Sequence, residues 1–386
     1  RPINATVDMG VYEHQGTPCY DHTFPYTLTG TDNTARVAEL RQAIECANAN
    51  ATADVIDLAG FTLVIDDADV NDADNALPVI TSAITLRDGT LERDTTAPNF
   101  RLLATSSGAH LIADSVNFRN GRAWEGGAIY NQGVLELQNA GFFDNGDLAQ
   151  TLRGGAILNL GFTLRVLGSR FEGNRAESGG AIYLDTGDFF LRTSHLENNH
   201  ATQGGALFGL TGLMRLLGND FVDNHAEVGG AIHVMNTMIA SGSRFERNQA
   251  TTQGGAVSHD NFIGGTLRLA NSVFVGNLAP QGAALHGDDV IMNNITVSGH
   301  TGGASSSLLS TPNPGVNARV FNSILWGNAD TPVGAATISH SVVQDGFPGG
   351  TDILNLDPRF VDAASGDFRL TSGSPAIDAG SNDEVL

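Results

Sequence analysis

Lysine is absent from this chain of 386 residues, so all 20 of its basic side chains are arginines. This absence excludes chemistry that needs a lysine amine, such as a Schiff base, a catalytic lysine or a Lys–Asn isopeptide cross-link. The 42 acidic residues leave a formal net charge of −22. An acidic excess of this size argues against nucleic acid and anionic membranes as partners, because both would repel the chain.

Long apolar runs and cysteines are also scarce. No stretch approaches the roughly 18 apolar residues of a membrane-spanning helix, and no signal peptide opens the chain. The chain starts with Arg1 instead of Met, which predicts a processed or excerpted polypeptide. Cys19 and Cys46 could form one disulfide, which would stabilise the N-terminal region by about 3 kcal/mol. Two buried free thiols are the alternative, and the sequence leaves both open.

Glycine, in contrast, is abundant and periodic. A Gly-Gly pair followed by Ala and an aliphatic residue recurs in steps of 28 and then 25 residues, at Gly126, Gly154, Gly179, Gly204, Gly229 and Gly254. A short motif that opens on an apolar residue and closes on asparagine accompanies it, and aligns Asn174, Asn199, Asn224, Asn248 and Asn277. A period of this kind predicts a solenoid of stacked coils.

About 25 residues per coil fit three short strands and three turns, the coil of a parallel β-helix. The glycines allow a turn that side chains would block, and the aligned asparagines are predicted to stack as a structural amide ladder. Residues 34–50 carry apolar side chains at helical spacing, with Thr34 as the N-cap. The predicted fold is all-β: a right-handed parallel β-helix with an N-terminal cap containing one α-helix.

Four regions follow from these patterns. Residues 1–30 form an irregular N-terminal segment, and residues 31–78 form the cap with its helix at 34–50. Residues 79–345 form the parallel β-helix, and residues 346–386 form a C-terminal closing segment.

The repeats resemble those of chlamydial polymorphic outer-membrane proteins and related bacterial β-helical surface proteins. Leu40-Arg41-Gln42-Ala43-Ile44 is similar to the N-terminal domain named for its Cys-Ser-Leu-Arg-Glu-Ala string, although Ala38 stands where that string has its Cys. Asn322-Ser323-Ile324-Leu325 and Ser374-Pro375-Ala376-Ile377-Asp378-Ala379-Gly380 resemble the C-terminal part of choice-of-anchor β-helix proteins. The resemblance implies an extracellular or cell-surface setting and specifies hardly any activity.

One string of that group stands at the opposite end of this chain. The group closes with an Asp-Ile-Gly-Ala-Tyr-Glu string soon after Ser-Pro-Ala-Ile-Asp-Ala-Gly, whereas the similar residues here are Val7, Asp8, Met9, Gly10, Val11, Tyr12 and Glu13. Residues 1–30 therefore resemble the closing strand of a preceding unit. The chain could be one unit of a tandem array, a subunit that completes the next molecule, or a rod closed by its own N-terminus. The first two predict a head-to-tail filament in which residues 7–13 meet Pro375, Ile377 and Asp378 of another copy.

Two groups of side chains suit metal ions. Oxygen ligands alternate in an acidic stretch in a way that suits calcium, at Asp67, Asp69, Asn71, Asp72 and Asp74. That stretch lacks the Gly and the distal Glu of an EF-hand loop, and a solvated acidic loop is the competing interpretation. His200 and His225 share one coil position, as a metal pair, a pH-sensitive patch or two solvated turn residues.

The leading functional prediction is a non-catalytic, extracellular structural or adhesive rod that assembles head-to-tail with copies of itself on a cell surface. No catalytic residue is assigned and no cofactor is required; calcium is the one candidate ligand. Further expected partners are a cell-surface glycan or a neighbouring cell, without nucleic acid or membrane insertion. The alternative is a carbohydrate-active β-helix enzyme, a polysaccharide lyase or hydrolase, or a glycan-binding module.

Overall fold

The computed structural model describes residues 19, 23–69, 72–261, 264–300, 308–311, 318–329 and 336–384. Short strands of successive coils pair in parallel and in register, which confirms the predicted parallel β-solenoid of about 10 turns with a spacing of about 25 residues. Adjacent coils are about 4.8 Å apart, as in any β-sheet. Three faces run along the rod, and each coil in its middle part contributes one strand to each face. In the described residues, no helix is long and apolar enough to cross a membrane.

The first face is the broadest sheet of the rod and begins inside the cap. Its strands are Tyr26–Thr27, Asp54–Asp57, the first halves of Ala83–Arg93 and His110–Arg119, Val134–Gln138, Thr163–Leu167, Asp188–Arg192, Met214–Leu217, Met238–Ser241, Leu267–Ala270, Val290–Asn293, Ala318–Phe321, the first half of Ala336–Val343, and Thr351–Leu354. Because Asp54–Asp57 pairs with Ala83–Arg93, strands on the two sides of the predicted boundary at residue 78 share one sheet.

The second face follows the first after a turn of two residues in most coils, such as Gly168 and Ser169. Its strands are Thr62–Ile65, the second halves of Ala83–Arg93 and His110–Arg119, Gly141–Phe143, Arg170–Glu172, His195–Glu197, Asp220–Val222, Arg244–Glu246, Val273–Val275, Thr296–Ser298, Ile324–Leu325 and the second half of Ala336–Val343. The strand His225–Val228 leaves this face and pairs with Gln249–Gln253 in a separate two-stranded sheet.

The third face follows the Gly-Gly pairs and contains nine strands in the part of the chain that the structure describes. They are Leu103–Thr105, Ile129–Asn131, Ile157–Asn159, Ile182–Leu184, Leu207–Gly209, Ile232–Val234, Val257–His259, Leu285–Gly287 and Leu309–Ser310. The glycine pair is required for two reasons. Gly204 has a φ of 64°, and a Cβ atom on Gly205 would lie 2.1 Å from the carbonyl oxygen of Gly230 in the next coil.

Side chains that point inward fill the rod from end to end. Phenylalanines of the second face stack on one another, with ring centroids 4.7 Å apart for Phe142 and Phe171 and 4.9 Å apart for Phe221 and Phe245. Leu196 occupies the position between these two stacks and is equally buried. Large-to-alanine changes at such positions typically cost about 3–5 kcal/mol. The interior is therefore a packed core without room for a ligand at these coils.

The cap helix extends over Asn33–Asn48, one residue earlier at its start and two residues earlier at its end than predicted. Its predicted apolar face is buried: Val37, Leu40, Ala43, Ile44 and Ala47. Asp32, not Thr34, is the N-cap, because its carboxylate accepts the Ala35 N–H at 2.9 Å. Asn33 instead exchanges two hydrogen bonds with the backbone of Val64, so the first helical residue ties the helix to the second face.

The C-terminal segment contains a small antiparallel pair, Phe360–Asp362 with Asp367–Leu370, and two 3₁₀ turns, Ala363–Ser365 and Asn382–Glu384. It lies along the side of the rod. Arg244 Nη1 donates to the Gly366 carbonyl at 3.5 Å, and the Asn322 side chain exchanges hydrogen bonds of 3.0 and 2.7 Å with the backbone of Ser381. The segment thus reaches back over several coils.

Candidate functional site

The five asparagines predicted to form a ladder lie in one stack at the corner after the second face. All are completely buried, and the amide nitrogen of each of the first four donates to the side-chain oxygen of the asparagine in the next coil, at 2.9–3.0 Å. We call this stack, extended to Asn145 at 3.0 Å from Asn174, the asparagine ladder.

Hydrogen bonding in the ladder is complete at every rung. Asn199 Nδ2 donates to Asn224 Oδ1 and to the Phe171 carbonyl, while Asn199 Oδ1 accepts from the side chain and the backbone N–H of Asn174. No donor or acceptor of that amide is left for a ligand. Because a buried polar group without a partner costs about 1–3 kcal/mol, the ladder is a structural device and offers no binding surface.

The ladder continues beyond the predicted residues. Asn145 closes the motif Phe142-Phe143-Asp144-Asn145, and Asn328 closes Leu325-Trp326-Gly327-Asn328, so the pattern that found the others was present at both. Between Asn277 and Asn328 the rung is His300, whose Nε2 lies 3.4 Å from Asn277 Nδ2 and whose Nδ1 lies 3.1 Å from Asn328 Oδ1. An imidazole therefore substitutes for an amide here.

A second ladder at the corner after the first face was missed by sequence reasoning. Serine and asparagine side chains accept the backbone N–H of the preceding coil, as Ser194 does from Ser169 at 3.2 Å and Asn219 does from Ser194 at 2.9 Å. The recognisable pattern is a small polar residue two positions before the buried Phe or Leu, at Ser169, Ser194, Asn219, Ser243 and Ser272.

The cap carries the disulfide and acidic candidates. Cys19 and Cys46 form a disulfide in the structure, with Cα atoms 5.2 Å apart. Asp67 is paired with Arg41 at 2.8 Å, and the Asp72 carboxylate accepts the Asp74 N–H and contacts the Asn75 amide. Asn71 lies outside the described residues, and within those described no three His, Cys, Asp or Glu side chains are placed to hold a metal ion. Calcium here stays a prediction.

Of the two sets of candidate assembly residues, the structure describes only the C-terminal one. Val7, Asp8, Met9, Gly10, Val11, Tyr12 and Glu13 lie outside the described residues. Pro375, Ile377 and Asp378 lie in the C-terminal segment, where the Ile377 side chain is 45% exposed and Asp378 has a φ of 58°. Asp378 lines a shallow recess together with Asn271, Asn293, Asn294, Asn322, Gly380, Ser381 and Asn382.

Arginine and carboxylates converge on the third face, where an enzyme of the alternative prediction would need them. Arg153 pairs with Glu125 in the preceding coil, lies 3.6 Å from Asp185 in the next, and covers the Tyr183 ring at 5.4 Å from its centroid. Tyr183 is only 7% exposed. These groups therefore satisfy one another and do not present a free base or acid to a polymer.

Histidines also gather on the third face, further along the rod. His233 Nε2 lies 3.0 Å from Asp260 Oδ2, and this contact lowers the pKa of Asp260. Burial lowers the pKa of His286, which lies two strands from His233 in the same outward row, while Asp260 and Asp288 oppose the shift. The two imidazoles are 2% and 4% exposed, so they belong to the packed wall of the rod.

His200 and His225 lie on successive coils with their rings edge to face, and Nε2 of the first is 3.3 Å from Nδ1 of the second. Burial, then His225 and Arg175, lowers the pKa of His200. The part of the chain described by the structure supplies no third ligand for this pair. The pair remains a candidate pH-sensitive contact without the geometry of a metal site.

Comparison with known proteins gives one short match. The model of the Chlamydia polymorphic membrane protein repeat matches residues 168–185, a stretch that contains Phe171, Asn174 and the Gly179-Gly180 pair. No curated protein and no solved structure matches the chain. The match covers part of a single coil: one rung of the asparagine ladder, one strand of the second face and one strand of the third. This short match and the β-solenoid fit a cell-surface β-helix protein.

Proposed function

We propose that this protein is a non-catalytic, extracellular structural or adhesive rod that is displayed on a cell surface. The observation that carries this proposal is the asparagine ladder, which joins successive coils from Asn145 to Asn277 through buried hydrogen bonds. Such a ladder stiffens the rod along its axis and leaves its sides free for contacts. The chemical groups that converge on the third face are already paired, which favours a rod over an enzyme.

We further propose that the rods assemble head-to-tail, with residues 7–13 of one copy meeting the segment around Pro375–Asp378 of the next. Support comes from exposed apolar side chains in the C-terminal segment: Leu356 is 54%, Val361 50% and Ile377 45% exposed. Apolar side chains gathered on one small segment are typical of contact surfaces. A contact of this kind between unlike ends propagates as an open filament.

Assembly is tested by light scattering after gel filtration, and by electron microscopy, over a range of protein concentrations. The full chain should form linear assemblies, and both removal of residues 1–13 and Ile377→Asp should shift it toward monomers. Phe162→Asp is the matched control, because Phe162 is 79% exposed but lies on a turn beside the third face. A full chain that stays monomeric at every concentration would contradict head-to-tail assembly.

Surface display is tested separately by labelling intact producing cells with an antibody to the rod. Labelling before permeabilisation is the expected result, since the proposal places the whole rod outside the cell. Labelling that requires permeabilisation would remove the surface role, whatever the assembly state in solution.

A further inference from the structure

The first face carries an outward row in which charge and apolar surface alternate strictly. On seven consecutive coils, the central outward residues are Arg165, Phe190, Arg215, Ile239, Arg268, Ile291 and Arg319. We call these seven residues the arginine row. Each arginine is exposed and lies two strands from the next one, so the guanidinium groups repeat about every 10 Å along the rod.

The cations of this row are only partly compensated. Arg165 lies 3.5 Å from a Glu136 oxygen, and Arg215 lies 3.8 Å from an Asp188 oxygen. In the described part of the chain, Arg268 and Arg319 have no carboxylate within the 4.0 Å of a salt bridge. Among the described residues, these two exposed guanidinium groups therefore form a local concentration of positive charge on a protein with a net charge of −22. This local charge is complementary to an anion.

The residues between the cations are apolar and accessible. Ile239 is 39% exposed, and Phe190 and Ile291 are half-buried. The seven residues pair in register on consecutive strands of one sheet, so they follow one another along the rod. A ligand with an apolar ring face between successive anionic groups fits this alternation, since aromatic and aliphatic side chains pack against such faces.

We propose that the arginine row binds a linear acidic polysaccharide that carries one carboxylate per disaccharide and lies parallel to the rod axis. A guanidinium group matches a carboxylate through two parallel N–H···O bonds, which suits arginine better than lysine. The spacing of about 10 Å between arginines is comparable to the length of one disaccharide in an extended chain. The four arginines together cover about 29 Å, six strand spacings.

Charge density separates this ligand from nucleic acid. Duplex DNA carries one phosphate charge for about every 1.7 Å of its axis, far more than four spaced arginines on an acidic protein can neutralise. Single strands are usually held by several aromatic side chains that stack on the bases, whereas this row contains one phenylalanine. The inference gives the proposed surface rod a partner, and it does not depend on head-to-tail assembly.

Hyaluronan is the probe, because it alternates a uronate with an uncharged sugar. Binding of the full chain is measured by calorimetric titration and by mobility in hyaluronan-containing gels, with neutral dextran and single-stranded DNA as comparison polymers. The test variant is the double exchange Arg268→Glu with Arg319→Glu. The control is Arg175→Glu with Arg359→Glu, two exposed arginines off the first face. Each exchange changes the charge by two, so both doubles go from −22 to −26.

Hyaluronan should bind the wild type, and more weakly as salt rises. The first-face double should lose at least about tenfold in affinity, since two cations are removed from a salt-dependent contact, whereas the control double should stay within about twofold. Ile239→Ser should weaken binding without altering the salt dependence. Failure of the wild type to bind hyaluronan, equal losses in both doubles, or tighter binding of single-stranded DNA would each overturn the proposal. Because assembly is measured separately, failure here leaves the filament proposal standing.

Discussion

The asparagine ladder and the arginine row are both periodic, and both run along the rod, but they differ in how far their polar groups are satisfied. Asn199 is completely buried and makes hydrogen bonds with both neighbouring coils. Arg268 is exposed and has no carboxylate partner among the described residues. Repetition alone therefore does not distinguish a residue that joins the coils from one whose polar groups are available to a ligand. The hydrogen-bonding partners of each side chain make that distinction.

Asn199→Ala tests the buried side of this comparison and should have the largest effect. The change removes the acceptor of the Asn174 backbone N–H and of one Asn174 amide hydrogen, and it removes the side-chain donor to the Phe171 carbonyl. At about 1–3 kcal/mol for each buried group, a loss of about 4 kcal/mol is expected. Urea unfolding followed by circular dichroism measures it. Asn198→Gly is the control, because Asn198 is exposed with a φ of 54° that glycine adopts freely. A loss below about 1 kcal/mol for Asn199→Ala would mean that the ladder is not a stabilising device.

Replacement of both Cys19 and Cys46 by alanine tests whether the cap is stabilised by the disulfide. The cap has no repeats, whereas the coils are stabilised by the asparagine ladder. The two cysteines joined by the disulfide are 27 positions apart in the sequence. Loss of the disulfide is expected to cost about 3 kcal/mol in the unfolding of the cap. Hydrogen exchange of the helix Asn33–Asn48 reports that region directly. A reductant should lower the stability of the wild-type cap and leave that of the double variant unchanged. If the reductant affects both proteins equally, the disulfide does not stabilise the cap.

Acid should weaken the third face more than it weakens the asparagine ladder, whose amides do not titrate. Burial lowers the pKa of His286 and of His259 from 6.5, so the folded state resists their protonation while the unfolded chain does not. Their contribution is fully present above about pH 6.5 and is lost as the pH falls below it. His286→Gln should reduce the drop in urea midpoint between about pH 7.5 and about pH 5.5. Ser258→Ala, in the same row, should keep the wild-type drop; an unchanged drop in His286→Gln would contradict this account.

Arg268→Ala tests the exposed side of the comparison and should have the smallest effect on folding. An exposed side chain without a carboxylate partner contributes within about 0.5 kcal/mol, in either direction. The same urea experiment that detects the loss in Asn199→Ala should find this variant close to the wild type. A loss above about 1 kcal/mol would show that the arginine row stabilises the rod and would weaken the distinction drawn here.

Much of the fold was predictable because each coil repeats the same residue types at the same positions. The Gly-Gly pairs, the buried phenylalanines and the ladder asparagines are recognised by their distance from one another within one coil. Local patterns were also sufficient for Asn145 and Asn328, which close the same kind of motif and were nevertheless overlooked. The helix N-cap was misplaced by two residues, because Asp32 and Thr34 can both cap a helix and it is the Asp32 carboxylate that accepts the Ala35 N–H.

The arginine row could not be seen in the same way. Its arginines recur in every second coil, and apolar residues occupy the alternate positions, so no single repeat unit contains the pattern. The row is recognised only when it is known which residues of neighbouring strands are paired. Arg215 pairs with Ile239, and Ile239 pairs with Arg268.

The amino-acid sequence by itself determined the coil period, the inward face and the ladder positions, because each depends on residues a few positions apart within one coil. Only the tertiary structure decided which side chains of different coils meet, such as His233 with Asp260, and where the C-terminal segment lies. The contact between Arg244 and Gly366 joins residues 122 positions apart. Coils of unequal length shift the alignment between distant residues, so such contacts are set by the accumulated register of the whole rod.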